Sequence, residues 1–279
     1  MEETLSLRNK KASKFELRIH EIDFLRGICI ILVLLDHFML NLYSNAYQWL
    51  NLTHNPIFSE IYKATTYYYS FGCIRDIVRY IVLFGFSFLS GVSAEFSKNT
   101  VRRSLILIVI WFIIFVVTSG AQMIGMNAGF VINPIDFNII GVIALCYVLF
   151  SLVRKRSNKV MYAIILICFY VWWCLIPFLD IAYPDLKSRM YFPFFWDPGD
   201  CGRPQSDWMP LFPYLMYFFV GVMFSKFFYK NKKSYFNRYE FVRPICFMGR
   251  HSLIIYLVSA LGYVAIFAIV DAIIRAQPW

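Results

Sequence analysis

The sequence predicts an all-α protein, a polytopic bundle of about seven transmembrane helices with its N-terminus in the cytoplasm. Of 279 residues, 59% are hydrophobic, 20% aromatic and only 16% charged. A soluble domain carries about 25% charged residues, so this chain has too little polar surface to coat a core in water, and a lipid bilayer suits it better. The net charge is +10. Its positive residues lie in short stretches between apolar runs, which favours membrane topology over nucleic-acid binding.

Seven apolar runs are long enough to cross a bilayer. They cover residues 22–43, 77–96, 104–124, 137–153, 160–182, 209–229 and 245–273. The last run is long for one crossing, so we expect it to tilt or break near Gly262. Residues 1–20 are polar and basic and lack the apolar core of a signal peptide. They predict a cytoplasmic tail, followed by one transmembrane domain over residues 21–279.

Lysine and arginine are concentrated in alternate loops. Eighteen lie in the N-terminal tail and in 97–103, 154–159 and 226–243, whereas six lie in 44–75, 121–136, 183–208 and the C-terminal tail. Positive loops stay in the cytoplasm. The N-terminus is therefore predicted inside and, with an odd number of spans, the C-terminus outside.

The first span carries an unusual number of ionisable side chains. It reads EIDFLRGICIILVLLDHFMLNLY over 21–43 and holds Asp23, Arg26, Asp36 and His37. Charges at membrane depth usually face a protein interior or a water-filled cavity. Near the inner interface, snorkelling or a local pair would also explain Asp23 and Arg26. His37 lies deeper, where a packing histidine is the plain alternative to a functional one.

Helical spacing places two of these groups on one face. Arg26 and His37 are eleven residues apart, which is about 20° past three full turns and about 16 Å along the axis. Asp23 falls within about 40° of His37 on the same stripe. Asp36 points about 100° away from His37, so it is not automatically the partner that orients the imidazole.

Five segments in order resemble the heparan-α-glucosaminide N-acetyltransferase catalytic-domain family, which is related to the acyltransferase-3 superfamily. They are EIDFLRG with His37, FGFSFLSGVSAEF (84–96), FNIIGVIALCYVLF (137–150), SDWMPLFPYLMYFFVGVMFSKFFY (206–229) and GRHSLIIYL (249–257). One departure is that the family often continues the last segment with His-Gln-Pro, where this chain has Val258, Ser259 and Ala260. The resemblance implies a transmembrane acyltransferase domain that moves an acetyl group from acetyl-CoA to a sugar acceptor.

Catalytic candidates follow from the resemblance and from the first span. His37 would act either as general base or as acyl carrier, and Asp36 could orient it only if the helix is distorted. In the lysosomal members of the family the proposed catalytic histidine lies in the loop after the first helix. His54 is the loop histidine here, at a different spacing, and ranks second.

The binding candidates divide between the two sides of the membrane. Coenzyme A is cytoplasmic and carries phosphate groups, which arginine and lysine bind. The donor-side candidates are Arg26, Lys98, Arg102, Arg103, Arg250 and His251. For the basic residues at 98–103, ordinary positive-inside topology is the plain alternative. The outer loop 183–208 is rich in aromatic residues and aspartate and supplies Asp197, Asp200 and Asp207 as acceptor candidates; an interfacial cap is the alternative there.

Several alternatives stay open at this stage. The acyl group could go to nitrogen or oxygen, and an O-acyltransferase of a surface polysaccharide or lipid-linked sugar is the second enzyme hypothesis. A small ion- or proton-coupled transporter would also use buried charges in the first span, although the inverted repeats of transporters are missing from the sequence. No cysteine and histidine spacing resembles a metal site. We expect a bacterial inner membrane as the location, and a homodimer is one candidate assembly.

Overall fold

The computed structural model describes residues 19–43, 56–70, 73–128, 135–183, 209–230, 234, 240–259, 262, 263, 266 and 269. Within these residues every regular element is helical. The helices are α1 (His20–Asn41), α2 (Pro56–Ser70), α3 (Cys73–Phe96), α4 (Thr100–Ala128), α5 (Ile139–Val153), α6 (Asn158–Tyr170), α7 (Ile176–Ala182), α8 (Tyr214–Phe228) and α9 (Arg243–Arg250). A π-helical segment, Val171–Leu175, joins α6 to α7, and residues 252–259 continue as helix after α9.

Three helical stretches are long and apolar enough to cross a membrane: Ile74–Phe96, Thr100–Ile124 and Asn158–Ala182. In the last two, only 6% of the most apolar window is buried within the protein. Long helices that expose leucine, isoleucine and phenylalanine around most of their surface are stable in lipid and not in water. The chain is therefore an integral membrane protein. Seven spans and a cytoplasmic N-terminus stay predictions.

Helix α2 lies inside the stretch 44–75 that the sequence predicted as an outer loop, and the sequence did not predict a helix there. The stretch holds Glu60, Lys63 and two threonines and is too polar to register as a span. At about 22 Å it is also too short to cross a bilayer. The hydroxyls of Thr65 and Thr66 both donate to the carbonyl of Tyr62. These polar side chains therefore need no hydrogen bond from solvent.

The last apolar run is interrupted at His251, eleven residues before the predicted break, and Gly262 itself is helical. His251 has φ −106° and ψ 16°, outside the α-helical range. Its backbone N–H donates to the carbonyl of Phe247 at 3.2 Å, and its ring Nδ1 lies 3.0 Å from the same oxygen. The imidazole and the backbone N–H of His251 thus approach the same carbonyl at the C-terminal end of α9.

The chain divides into two compact units. The first comprises Met1–Phe86 with Asn231–Trp279, and the second comprises Ser87–Lys230. In the first unit α1 packs closely on α9. A side chain at Gly27 would overlap the carbonyl of Ile245, and a side chain at Gly249 would overlap the carbonyl of Asp23. Small residues at such positions let helix backbones approach closely in a membrane.

The core of the second unit is aromatic. Phe150, Phe218 and Phe219 are fully buried and meet edge to face. Gly91 and Gly221 bring the backbones of α3 and α8 together there. The guanidinium of Arg154 donates to the carbonyls of Ser97 at 2.6 Å and Glu95 at 3.2 Å. Arg154 therefore satisfies carbonyl groups that the C-terminal end of α3 leaves without helical partners.

Candidate active site

Helix α1 carries the polar residues singled out in the sequence, and it is continuous from His20 to Asn41. The helical spacing between Arg26 and His37 therefore holds: the two residues share a face about 16 Å apart along the axis. Arg26 is half-buried. A charged group at one end of this face and an imidazole three turns away are thus fixed by one rigid element.

At the N-terminal end of α1, Asp23 pairs with Arg250 of α9. Arg250 Nε lies 3.6 Å from Asp23 Oδ2, with the side chains 20% and 15% exposed, respectively. The same nitrogen donates to the carbonyl of Cys246 at 3.2 Å. From the sequence, Asp23 was expected to form a local pair or to snorkel to the interface. The structure instead shows that it joins the first helix to the start of the last apolar run. The absence of a side chain at Gly249 allows this approach.

The first turn of α1 is capped by a residue from the other end of the chain. Ile19, at the N-cap, has no capping side chain. The hydroxyl of Ser234 accepts from the backbone N–H of His20 at 3.3 Å and donates to Glu21 Oε2 at 2.8 Å. The thiol of Cys246 donates to the carbonyl of His20 at 3.6 Å. These contacts fix the end of α1 at which the donor is predicted to bind.

In the C-terminal half of α1, Asp36 meets α2 and α3. Its Oδ1 accepts from the hydroxyl of Tyr68 at 3.2 Å and lies 3.6 Å from Nε of Arg75. We call these three residues, Asp36, Tyr68 and Arg75, the outer node. The sequence did not single out Tyr68 or Arg75 as site residues. Their only signal was a tyrosine and an arginine next to an apolar run, which is typical of any membrane interface.

His37 faces a different neighbour from Asp36. Its ring lies 5.7 Å from that of Tyr256, tilted by 56°. Seven residues further along the chain, the hydroxyl of Tyr263 donates to the carbonyl of Leu34 at 2.5 Å. His37 therefore lies against the last apolar run, and Asp36 lies against α2 and α3, as the 100° between successive residues requires.

The remaining candidates are dispersed. Lys98, Arg102 and Arg103 are exposed around the start of α4, in the second unit. His251 is exposed and its ring packs against that of Phe247 at a tilt of 40°, with ring centroids 4.4 Å apart. The residues His54, Asp197, Asp200 and Asp207 lie outside the described part of the chain. Among the described residues, no group of three or more histidine, cysteine, aspartate or glutamate side chains is arranged to hold a metal ion.

The model of the family described as heparan-alpha-glucosaminide N-acetyltransferase, catalytic, matches residues 18–261. The chain belongs to this family. The match covers α1 to α9 and thus both ends of the polar face of the first helix. No curated protein and no solved structure matches the chain.

Membership of the heparan-alpha-glucosaminide N-acetyltransferase catalytic family implies transferase activity, and acetyltransferases of this kind take acetyl-CoA as donor. The described residues contain groups suited to this chemistry. Arginine side chains lie at one end of α1 for phosphate groups, and an imidazole lies three turns away for proton or acyl transfer.

Proposed function

We propose that this protein transfers an acetyl group from cytoplasmic acetyl-CoA to a sugar acceptor on the opposite side of the membrane, with His37 at the point of transfer. The observation that carries the proposal is the family match over residues 18–261, because it includes the helix on which Arg26 and His37 share a face. The proposed location is the inner membrane of a bacterium, and the proposed assembly is a homodimer.

The donor would bind at the inner end of α1. Arg26 and Arg250 lie there in the first unit, and each side chain is only partly exposed. Guanidinium groups bind phosphate oxygens in a bidentate manner. Asp23 would keep Arg250 in place through its 3.6 Å contact. Lys98, Arg102 and Arg103, exposed in the second unit, remain a separate set of candidates for the donor phosphates.

The thioester would then lie near His37, with the pantetheine arm along the polar face of α1. In the direct route an amine or hydroxyl of the acceptor attacks the thioester carbonyl, and His37 takes the proton that the acceptor loses. The carbon–sulfur bond breaks and the thiolate leaves, to be protonated. In the alternative route the imidazole attacks first, releases the thiol and passes its acetyl group to the acceptor. An amino sugar would give an amide, and a sugar hydroxyl would give an ester.

The test is turnover of labelled donor by the purified full chain. We expect wild-type protein to bind [¹⁴C]acetyl-CoA and to transfer label to glucosamine, and His37→Ala to bind donor normally while turnover falls by at least about 100-fold. Leu35→Ala is the matched control, because Leu35 lies on the same helix with 52% of its surface exposed. Its turnover should equal that of wild-type.

The outcomes separate the competing functions. If wild-type protein neither binds nor turns over acetyl-CoA, the acetyltransferase proposal fails, and proton-dependent transport in proteoliposomes becomes the next measurement. If His37→Ala retains full turnover, His37 has no catalytic role and His54 becomes the first candidate. Acid-quenched label on wild-type protein that is lost in His37→Ala would support the acyl-carrier route over the direct one.

A further inference from the structure

The outer node joins three helices at one point. Asp36 comes from α1, Tyr68 from the C-terminal end of α2 and Arg75 from the first turn of α3. The carboxylate accepts from the Tyr68 hydroxyl at 3.2 Å and lies 3.6 Å from Nε of Arg75. The side chains of Asp36 and Arg75 are only 18% and 25% exposed, so the interaction is screened less than a surface ion pair.

The node pairs a negative charge with a positive one. A carboxylate at membrane depth is costly unless a cation and hydrogen-bond donors accompany it. Arg75 supplies the cation, and Tyr68 supplies a donor. Loss of Arg75 would remove this cation and loss of Tyr68 would remove this donor, so the node holds α2 and α3 to the C-terminal half of α1 in the arrangement that keeps both contacts.

A second side of the same turn, about 100° away, is held as well. His37 packs against the ring of Tyr256, and the carbonyl of Leu34 accepts from the hydroxyl of Tyr263. The turn Leu34–Phe38 of α1 is therefore held from two sides, by the outer node and by the last apolar run. These contacts oppose rotation of α1 about its own axis.

Rotation matters because His37 projects from that axis. With a helix radius of about 5–6 Å including side chains, a rotation of 20° would move the imidazole by about 2 Å. Misplacing a reacting group by about 1 Å can cost about 100-fold in rate. A device that fixes this rotation therefore has a direct effect on transfer.

We propose that Tyr68 and Arg75 are positioning residues for acetyl transfer, acting through Asp36 to fix the rotation of α1 and hence the place of His37. Asp36 serves as the anchor of the node and not as the partner that orients the imidazole. This inference rests on the proposed function, since it assigns a role to residues next to the proposed point of transfer.

The first set of variants breaks the node one residue at a time. We expect Asp36→Asn and Arg75→Gln each to lower kcat for acetyl transfer to glucosamine by about tenfold or more, with the KM for acetyl-CoA unchanged. Tyr68→Phe removes a neutral donor and leaves the ion pair, so its loss should be smaller. Each variant is first checked for a monodisperse elution profile and for its thermal unfolding midpoint in detergent.

The second set tests rescue. The exchanged double variant Asp36→Arg with Arg75→Asp restores an ion pair and should recover kcat to within about fivefold of wild-type. Asp36→Asn with Arg75→Gln gives a neutral pair that can still hydrogen-bond, so its kcat should exceed that of either single variant. This second double variant provides the rescue test if the exchanged protein does not fold. A catalytic carboxylate at position 36 predicts no recovery in either double variant.

A matched ion pair supplies the control. Asp23 and Arg250 have the same 3.6 Å separation and similar burial at the inner end of α1. Asp23→Asn should raise the KM for acetyl-CoA, whereas the outer-node variants should lower kcat. A general loss of structure would change both constants in both sets. If wild-type turns over acetyl-CoA but neither double variant improves on the single variants, the positioning role is refuted while the proposed function stands. If wild-type shows no turnover, both are refuted.

Discussion

Gly249 has a role at the residue scale that only the absence of a side chain explains. The place that a Cβ would take is occupied by the carbonyl oxygen of Asp23 and lies 2.7 Å from the backbone nitrogen of Gly27. Both are backbone atoms of α1, so no rotamer change can make room. Close approach here also brings Arg250, the next residue, to Asp23.

Replacing Gly249 should therefore separate two helices. We predict that Gly249→Ala destabilises the protein by about 1–3 kcal/mol or more and raises the KM for acetyl-CoA, because the contact between Asp23 and Arg250 is lost. Thermal unfolding in detergent measures the first effect, and donor kinetics measure the second.

Gly120→Ala is the control for that substitution, because no heavy atom lies within 4 Å of its added Cβ. Alanine is the better helix former by about 0.5–1 kcal/mol, so the control should unfold at or slightly above the wild-type temperature. Equal midpoints for the two variants would contradict the close helix contact at Gly249.

At the scale of elements, α5 begins at a buried cap. Asn138 is 1% exposed, and its Oδ1 accepts from the backbone N–H groups of Ile140 at 3.1 Å and Gly141 at 3.2 Å. In a membrane no water is available to accept hydrogen bonds from these N–H groups. The asparagine thus decides where the helix starts.

We predict that Asn138→Ala lowers the free energy of unfolding by about 1–2 kcal/mol, whereas Asn138→Ser retains most of the wild-type stability because serine also caps helices. Denaturant or thermal unfolding gives both values. Ser157, the N-cap residue of α6, is exposed and makes no capping hydrogen bond. Ser157→Ala should therefore change little, and a loss as large as that of Asn138→Ala would show that the cap bond is not the cause.

Apolar runs allowed most of the helices to be predicted from the sequence. The runs 104–124 and 160–182 correspond to Thr100–Ala128 and Asn158–Ala182, because uninterrupted apolar residues have one stable arrangement in lipid. Helix α2 was missed since it is polar and short. The π-helical turn before α7 follows from Pro177, which lacks a backbone N–H to continue the α-helical pattern, yet its position required the structure.

The candidate site was predictable only in part. Within α1, the 3.6-residue period was enough to place Arg26 and His37 on one face and to turn Asp36 away from the imidazole. The partners of these residues were not predictable. Asp23 and Arg250 lie at opposite ends of the chain, and Asp36 and Arg75 belong to different helices, so no local pattern connects them. Tyr256, which packs against His37, is one of 19 tyrosines and had no distinguishing feature in the sequence.

At the scale of the whole molecule, helix directions within the first unit bear on membrane topology. The start of α1 lies beside α9, where Asp23 meets Arg250, and its C-terminal half lies beside Tyr256 and Tyr263. The segment after His251 therefore points the same way as α1, whereas α9 itself runs antiparallel to α1, because Ile245 lies against Gly27 and Gly249 lies against Asp23. Helix α3 points the opposite way, because Arg75 lies beside Asp36 and Gly85 lies beside Cys29.

A last crossing that starts after His251 and points the same way as α1 is what an odd number of crossings requires. The odd number and the cytoplasmic side of the eighteen cationic residues stay predictions. We predict that alkaline phosphatase fused after Trp279 is active in bacterial cells, and that green fluorescent protein fused at the same place is dark, because that end is exported. Fusions after Arg156, in the turn between α5 and α6, should give the opposite result, since four cationic residues at 154–159 keep this turn inside. A fluorescent fusion after Trp279 would mean an even number of crossings. It would then require α1 and the segment after His251, which point the same way, to be connected by a segment that re-enters the membrane instead of crossing it.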